Sequence, residues 1–286
     1  MTALKCCKLN LLQWRLHPKY ILCLTFLVLN MWQLLRGFIP YAQAVGDTLS
    51  PWILPLLPGH SSSYAFTMLA FVLLISDAPF RNAQQRFIIQ RTGKLPWVLG
   101  QILYLFVLSV VFTLVLFVIS WAVVLPVLEW QTDWGVVIET ASRYPDAYGA
   151  MGVFVPITCS LDIMLGCTGL EATLWTMGVQ ILVCFFLGLL VLVCNLYTNR
   201  SVGTAVATAF VFLSFFVRSL SFEAEYFRYL SWISPLSWPD RSLMGFTNMY
   251  LPPYSYGVYM PLILCTVLIV LVVTTIHRKD VDGSEN

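Results

Sequence analysis

The chain has 286 residues, of which 59% are hydrophobic and only 10% are charged, with a formal net charge of +2 and a mean hydropathy of +0.79. Soluble globular domains carry about 25% charged residues, so the composition excludes an ordinary water-soluble domain. The length allows about six membrane spans of ~20 residues with their connections. We therefore expect one all-α, polytopic membrane domain over residues 1–286.

The N-terminal residues 1–19 predict an amphipathic helix that lies in the membrane interface and ends near Pro18. Leu4, Cys7, Leu11 and Trp14 fall on one helical face. Another face is basic, as is usual for helices that lie on anionic membranes. Its basic residues are Lys5, Lys8, Arg15 and Lys19.

Six apolar runs predict six spans, at about residues 20–39, 62–76, 96–125, 172–196, 203–220 and 258–276. The first contains Asn30 and Gln33. Polar side chains at that depth either form hydrogen bonds between helices or contact the cargo. The fifth contains small residues, among them Ala207, that permit close approach of a second chain. We therefore expect Asn30, Gln33 and Ala207 to line a dimer contact or a transport pathway.

Residues 77–94 form the longest polar interruption, and they predict a short basic helix at the cytoplasmic surface. Asp77 suits the N-cap, Pro79 the first turn and Gly93 the stop. An apolar stripe on this helix would dock on a partner protein, or would rest on lipid and on the inner ends of the spans. The residues expected to make the partner contact are Phe80, Arg81, Arg86, Phe87, Ile88 and Arg91.

Two further segments are expected at the outer surface. Residues 126–170 predict a solvated loop whose second half packs at that surface, and residues 221–255 predict a re-entrant outer hairpin enclosed by protein. The aromatic residues of the hairpin fit either an interface belt or an outer gate. We expect Arg218 to snorkel to the outer interface, and the sequence leaves open whether Cys159 and Cys167 pair.

The distribution of charge predicts the orientation. With six spans, the side that holds both termini and residues 77–94 carries 11 of the 16 Lys and Arg residues, and the other side carries 10 of the 14 acids. Cytoplasmic loops of membrane proteins are enriched in basic residues. Both termini are therefore expected in the cytoplasm.

Several kinds of chemistry have no signal in the sequence. The chain lacks a G-x-x-x-x-G-K-[ST] motif, so we expect no nucleotide hydrolysis by the chain itself. None of the six runs has an acidic or basic residue at its middle, which disfavours an ion-coupled carrier. The eight cysteines and three histidines have no metal-ligand spacing, and we expect neither a metal nor a catalytic site.

Two stretches and the order of elements carry a family resemblance. The stretch RFIIQRTGKLPWVLGQIL, at residues 86–103, resembles the segment that leads from the coupling helix to the third span in bacterial type-2 ATP-binding-cassette (ABC-2-type) permeases. The stretch YLSWISPLSW, at 229–238, resembles their outer Ser-Pro segment. The similarity in order covers nearly the whole chain, and the proline-rich, aromatic loop at 126–170 departs from it.

This resemblance implies an inner-membrane permease subunit that exports amphiphilic, peptide-like, drug or lipid-like cargo. It implies a second permease chain, identical or related, and separate ATPase subunits that hold the ATP and Mg²⁺ and dock on the 77–94 helix. Membrane lipid is the other expected partner, and nucleic acid is not expected. Two other classes stay open: a non-transport scaffold or regulatory subunit, and a lipid- or peptide-modifying membrane enzyme, which the missing catalytic constellations disfavour.

Overall fold

The computed structural model describes residues 3–12, 18–80, 89–90, 93–144, 147–157, 159–164, 166–198, 200–223, 225–245 and 250–281. Its α-helices in chain order are α1 (Ala3–Leu12), α2 (Pro18–Leu35), α3 (Phe38–Val45), α4 (Ser61–Ile75), α5 (Lys94–Val124), α6 (Gly135–Arg143), α7 (Ala147–Ala150), α8 (Leu161–Met164), α9 (Gly169–Tyr197), α10 (Arg200–Glu223) and α11 (Tyr254–Val281). Short 3-10 helices cover Leu54–Gly59, Leu125–Val127, Glu225–Ile233, Pro235–Ser237 and Arg241–Leu243. The described part contains no β-strand beyond one isolated bridge.

Five helical stretches of the described part are long and apolar enough to cross a membrane: Pro18–Val45, Lys94–Val127, Gly169–Tyr197, Val202–Leu220 and Tyr254–Ile276. Helices form in these runs because backbone groups in lipid must bond within their own segment. The chain is therefore an all-α, multi-pass membrane protein. The remaining predicted span is the shorter apolar helix α4, with 15 residues.

Hydrogen bonds between helices give their directions. Asn30 of α2 bonds Ser63 of α4, whereas Lys19, at the start of α2, pairs with Asp77 just after α4, so the two helices are antiparallel. Helix α4 runs parallel to α9, since Tyr64 and Ala78 bond Gln180 and Asn195 in the same order. We call the end of the bundle that contains Lys19 and Asn195 the proximal end and the end that contains Asn30 and Ser63 the distal end.

Helix α1 packs on the side of α5 at the proximal end. A Cβ atom on Gly100 of α5 would lie 2.6 Å from the Cβ of Cys6, so the glycine permits the close approach. Cys6, Cys7 and Asn10 form the buried face, while Leu4 is 70% exposed. Of the predicted apolar face, Cys7 is therefore buried against the bundle and Leu4 is left exposed.

Three stretches cover the distal end of the bundle. Residues 46–60 and 125–131 are joined by a parallel bridge between Leu49 and Leu128. The region 126–170 contains the short helices α6, α7 and α8 and no helix of spanning length among its described residues. Residues 225–245 are a described part of the region predicted as a hairpin, and we refer to them by that name. They pack against α10 as consecutive 3-10 helices, in which the indole nitrogen of the buried Trp238 donates to the carbonyl of Ser231 at 2.9 Å.

Candidate functional site

The predicted polar residue Asn30 joins α2 to α4 near the distal end. Its amide nitrogen donates to the carbonyl of Ser63 and to Oγ1 of Thr67, both at 3.1 Å. Its amide oxygen accepts from Oγ of Ser63 at 3.1 Å. This set of bonds satisfies both ends of the amide, which fits the first of the two predicted roles, hydrogen bonding between helices.

Gln33 lies one turn further along α2 and is exposed. It makes no hydrogen bond with the described residues. Together with Asn30 it lines an open groove of about 830 Å³ between α2, α4 and the loop at 152–156. We call this the distal groove. The structure thus brings these two predicted residues together, on a surface that faces outward from the bundle.

Ala207, the third residue of that predicted set, lies in a different environment. It has no exposed surface and belongs to the core of the bundle. Ala205 and Ala209 are on the exposed face of α10. In the single chain, the small residues available to a second copy are therefore Ala205 and Ala209, whereas Ala207 supports packing inside the chain.

A buried arginine at the distal end contradicts the sequence-based expectation. Arg218 is 2% exposed and lies with its guanidinium carbon 4.2 Å from the ring centroid of Tyr64 in α4. Its Nη2 donates to the carbonyl of Leu236 at 2.9 Å, and its Nη1 lies 3.9 Å from Oδ2 of Asp240. The predicted snorkelling is wrong, because the hairpin covers Arg218 and supplies its partners.

Asp240 and Tyr64 extend this arrangement into a network. Asp240 is 3% exposed at its side chain, and its Oδ1 accepts from the backbone nitrogen and the hydroxyl of Ser242 at 3.0 and 2.6 Å. The hydroxyl of Tyr64 donates to Oε1 of Gln180 in α9 at 2.7 Å. Helices α4, α9 and α10 and the hairpin therefore meet at one cationic side chain. The sequence did show an acidic residue, Asp240, in the predicted hairpin. Nothing in the sequence indicated that Asp240 would be the partner of Arg218.

Arg241, the next residue, lies in an aromatic enclosure. Its guanidinium carbon is 4.3 Å from the ring centroid of Tyr254 and 5.2 Å from that of Trp175. Its Nη2 lies 3.2 Å from the sulfur of Cys167. Cation–π contacts of this kind contribute more when they are desolvated, and here they join the hairpin to the distal starts of α9 and α11.

The two cysteines whose pairing the sequence left open are both free. Cys159 bonds the hydroxyl of Tyr148 at 3.4 Å, and burial raises the pKa of this thiol to about 11. Burial also raises the pKa of the Cys167 thiol, although the charge of Arg241 opposes the shift. Both thiols are therefore protonated and weakly reactive at neutral pH.

The predicted contact segment at the proximal end is described only at its two edges. Residues 76–80 form turns, and Asp77 pairs with Lys19, so the prediction that Asp77 begins a helix is wrong. Gly93 has a φ of +82° and its nitrogen donates to the carbonyl of Ile89 at 2.9 Å, which confirms the predicted stop. The other predicted contact residues, Arg81, Arg86, Phe87, Ile88 and Arg91, lie outside the described residues.

Phe80 is the one predicted contact residue that the structure describes. It is 8% exposed, and its ring packs edge-on against Tyr104 of α5, with centroids 4.7 Å apart. The hydroxyl of Tyr104 lies 3.1 Å from that of Tyr20. Phe80 thus fastens the segment to the inner ends of the helices, and a partner could reach it only if this contact opened.

Known proteins give no further guide to these sites. No family model, curated protein or solved structure matches the chain. The described residues contain no group of three His, Cys, Asp or Glu side chains placed to hold a metal ion. What they do contain is a distal network that joins helices through a buried ion pair, an open groove, and a proximal segment held at both edges.

Proposed function

We propose that the chain is the membrane-spanning permease subunit of an ATP-driven exporter of the ABC-2 type, in the inner membrane of a bacterium. The observation that carries this proposal is the order of elements. A short N-terminal helix precedes two antiparallel apolar helices, a basic proximal segment, a long helix, a distal loop, two helices, a distal stretch of 3-10 helices and a last helix. The comparisons neither support nor oppose this assignment.

The proposal includes a sixth span formed by α4. Fifteen helical residues rise about 22 Å, which is less than the ~30 Å thickness of the hydrocarbon core. Residues 54–59 precede α4 and residues 76–80 follow it, and both stretches are largely buried in protein. The flanking backbone can complete the crossing because it is enclosed by protein rather than lipid.

The proximal end is assigned to the cytoplasm. Lys5, Lys8, Lys19 and Lys94 are among the described basic residues at this end, and the basic residues of 81–91 belong to the same connection. Both termini would then be cytoplasmic, and the distal loop and hairpin would face the outside. The proposed cargo is amphiphilic, peptide-like, drug or lipid-like.

Energy would enter through the segment at 77–94, on which separate ATPase subunits would dock. Its edges are suited to transmit force, because Asp77 and Phe80 are fixed to α2 and α5 at one edge and Gly93 leads directly into α5 at the other. Phe87 is then the proposed anchor in the ATPase, with Arg81 and Arg86 steering the docking. Phe80 would hold the segment to the bundle.

A second permease chain would pack along α2 and α10. The outer face of α10 exposes Ala205, Ala209, Phe212 and Phe216 at a helical repeat. Small residues beside larger ones let helices approach closely in lipid. Asn30 and Gln33 of α2 stay candidates for this contact or for lining the pathway.

A pair of alanine substitutions tests the coupling proposal. Full burial of one Phe contributes roughly 1.5–3 kcal/mol, so Phe87→Ala should weaken ATPase docking about tenfold or more and leave the chain stable. Phe80→Ala is the matched control. It should lower the thermal stability of the chain, because Phe→Ala in a packed core costs about 3–5 kcal/mol.

The measurement is the amount of ATPase that copurifies with tagged chain in mild detergent, divided by the amount of folded chain. The chain alone should hydrolyse no ATP above a detergent blank. Unchanged copurification in Phe87→Ala would favour the lipid-anchor alternative. If no ATP-binding subunit copurifies with the unmodified chain, the scaffold or regulatory alternative replaces the permease.

A further inference from the structure

The distal groove has the size of a ligand site. Its volume of about 830 Å³ lies in the range of about 300–1,000 Å³ that small-molecule pockets occupy. Helices α2 and α4 form two walls, and the loop at 152–156 forms the third. The loop rests on the break between α2 and α3, where a Cβ on Gly37 would overlap the carbonyl oxygen of Phe154.

The lining of the groove changes from apolar to charged along α2. Phe26 and Leu29 line its proximal part, Asn30 and Gln33 its middle, and Arg36 its distal rim. The ten residue-to-residue steps from Phe26 to Arg36 correspond to about 15 Å of helix. That is half of the ~30 Å hydrocarbon core of a bilayer. The groove therefore matches the depth of one leaflet and its gradient of polarity.

The charge at the rim is positive and uncompensated among the described residues. Arg36 is exposed and pairs with none of the described carboxylates. The described lining contains no acidic side chain. His60 lies at the same rim, where its Nδ1 accepts from the backbone nitrogen of Ser63 at 3.3 Å, and burial lowers its pKa. A guanidinium with free donors is the group best suited to bind phosphate.

We infer that the distal groove binds an anionic phospholipid of the adjoining leaflet. Its phosphate would lie on Arg36, and an acyl chain would lie along Phe26, Leu29 and Phe66, of which Phe66 is 51% exposed. Phe154 of the loop at 152–156 lines the same groove and is 82% exposed. This site does not depend on the proposed transport function, since the chain alone contains every residue named.

A second copy of the chain is the competing occupant, because α2 is also a candidate dimer helix. A twofold contact places the same patch of each copy against itself. Centred on the groove, it would bring two Arg36 guanidiniums together without a described carboxylate between them. Such like-charge contacts disfavour association, and the groove therefore favours the lipid.

The test uses the purified full chain in nanodiscs of neutral phosphatidylcholine. Small amounts of two photoreactive probes are added, a phosphatidylglycerol and a phosphatidylcholine with the same diazirine-bearing acyl chain. We expect the anionic probe to label peptides containing Phe26–Arg36 and Phe66 in preference to the neutral probe. Arg36→Gln should weaken the anionic labelling about tenfold, because hydrogen bonds to charged groups contribute about 1.5–3 kcal/mol.

Two control variants separate the groove from general charge and packing effects. Arg143→Gln removes a distal arginine that is exposed and 3.9 Å from Glu139, and it should leave labelling unchanged. Gly37→Ala should displace the loop and reduce labelling, whereas Gly178→Ala, with no atom within 4 Å of the new Cβ, should not.

Equal labelling by the two probes, or equal labelling of the Arg36→Gln variant and the unmodified chain, would overturn the lipid assignment. Full labelling of the Gly37→Ala variant would show that the loop is not a wall of the binding site, and it would exclude the groove as that site. Crosslinks between two copies at Arg36, in place of lipid labelling, would assign the groove to the dimer.

Discussion

The buried ion pair between Arg218 and Asp240 leads to a quantitative prediction. The two side chains are 2% and 3% exposed, and Nη1 and Oδ2 are 3.9 Å apart. Two unit charges at this distance attract by about 4 kcal/mol at an effective dielectric constant of about 20. Removing one partner leaves the other charge buried without its counter-charge, which costs about 3–5 kcal/mol.

We therefore expect Arg218→Met and Asp240→Asn each to destabilise the chain strongly, and the double variant to recover most of the loss. Recovery should be incomplete, because a methionine side chain at this position cannot replace the hydrogen bond to the carbonyl of Leu236 at 2.9 Å or the contact with the ring of Tyr64. A residual loss of about 1–2 kcal/mol is expected from that bond.

Thermal unfolding in detergent, followed by tryptophan fluorescence, measures the cycle. A loss of about 3–5 kcal/mol should lower the midpoint by on the order of 10 °C. Arg143 and Glu139 provide a matched control at the same distance of 3.9 Å, but with side chains 66% and 49% exposed. Exposed pairs contribute about 0–1 kcal/mol, so the corresponding substitutions Arg143→Met and Glu139→Gln should have little effect on stability. A double variant as unstable as the sum of the singles would refute the coupling.

Two further predictions concern the proximal end and the orientation. Asn195→Ala should lower the free energy of unfolding by about 2–4 kcal/mol in the same assay. The side chain of Asn195 bonds the carbonyl of Ala78 at 2.6 Å and the backbone nitrogen of Gly203 at 2.9 Å, and the substitution leaves both groups without these partners in a buried site. A loss below about 0.5 kcal/mol would contradict this prediction. In a cysteine-free background, an impermeant thiol reagent added outside cells should label a cysteine at Asp133 and spare one at Ser284. Labelling at Ser284 would reverse the proposed orientation.

The long helices were predictable because their cause is local. A run of apolar residues in lipid must bond its own backbone, so the third predicted span, 96–125, corresponds closely to α5 at Lys94–Val124. The fourth, 172–196, lies within α9 at Gly169–Tyr197. The turn at 197–200 was also recognisable, because it is a short polar interruption between two such runs.

The errors fall where a partner distant in sequence decides the outcome. Asp77 has the sequence context of a helix N-cap, yet it pairs with Lys19, 58 residues away. Arg218 has the position of a snorkelling residue, yet Leu236 and Asp240 of the hairpin cover it. Local preferences are weak compared with such tertiary contacts, and a single sequence does not identify the distant partner.

In the candidate sites, too, local features were predictable from the sequence, whereas features that depend on distant residues were not. Asn30 was recognised because an amide inside an apolar run needs a partner, although its partners Ser63 and Thr67 were not named. The distal groove was not predicted, because its third wall comes from residues 152–156, more than a hundred residues after α2. The register of α10 decided the position of Ala207, since Gly203 and Ala207 face inward while the alanines between and beyond them face out.

Helix α4 emerges as the element that links the two ends of the bundle. At the distal end, Tyr64 contacts Arg218 and Gln180, and at the proximal end Ala78, just after the helix, accepts from Asn195. We expect a short packed helix with such contacts at both ends to move as a unit, because packed cores do not deform continuously. A force applied to the segment after Asp77 would therefore reach the hairpin through α4, and the proposed coupling needs no charged residue at the middle of a span.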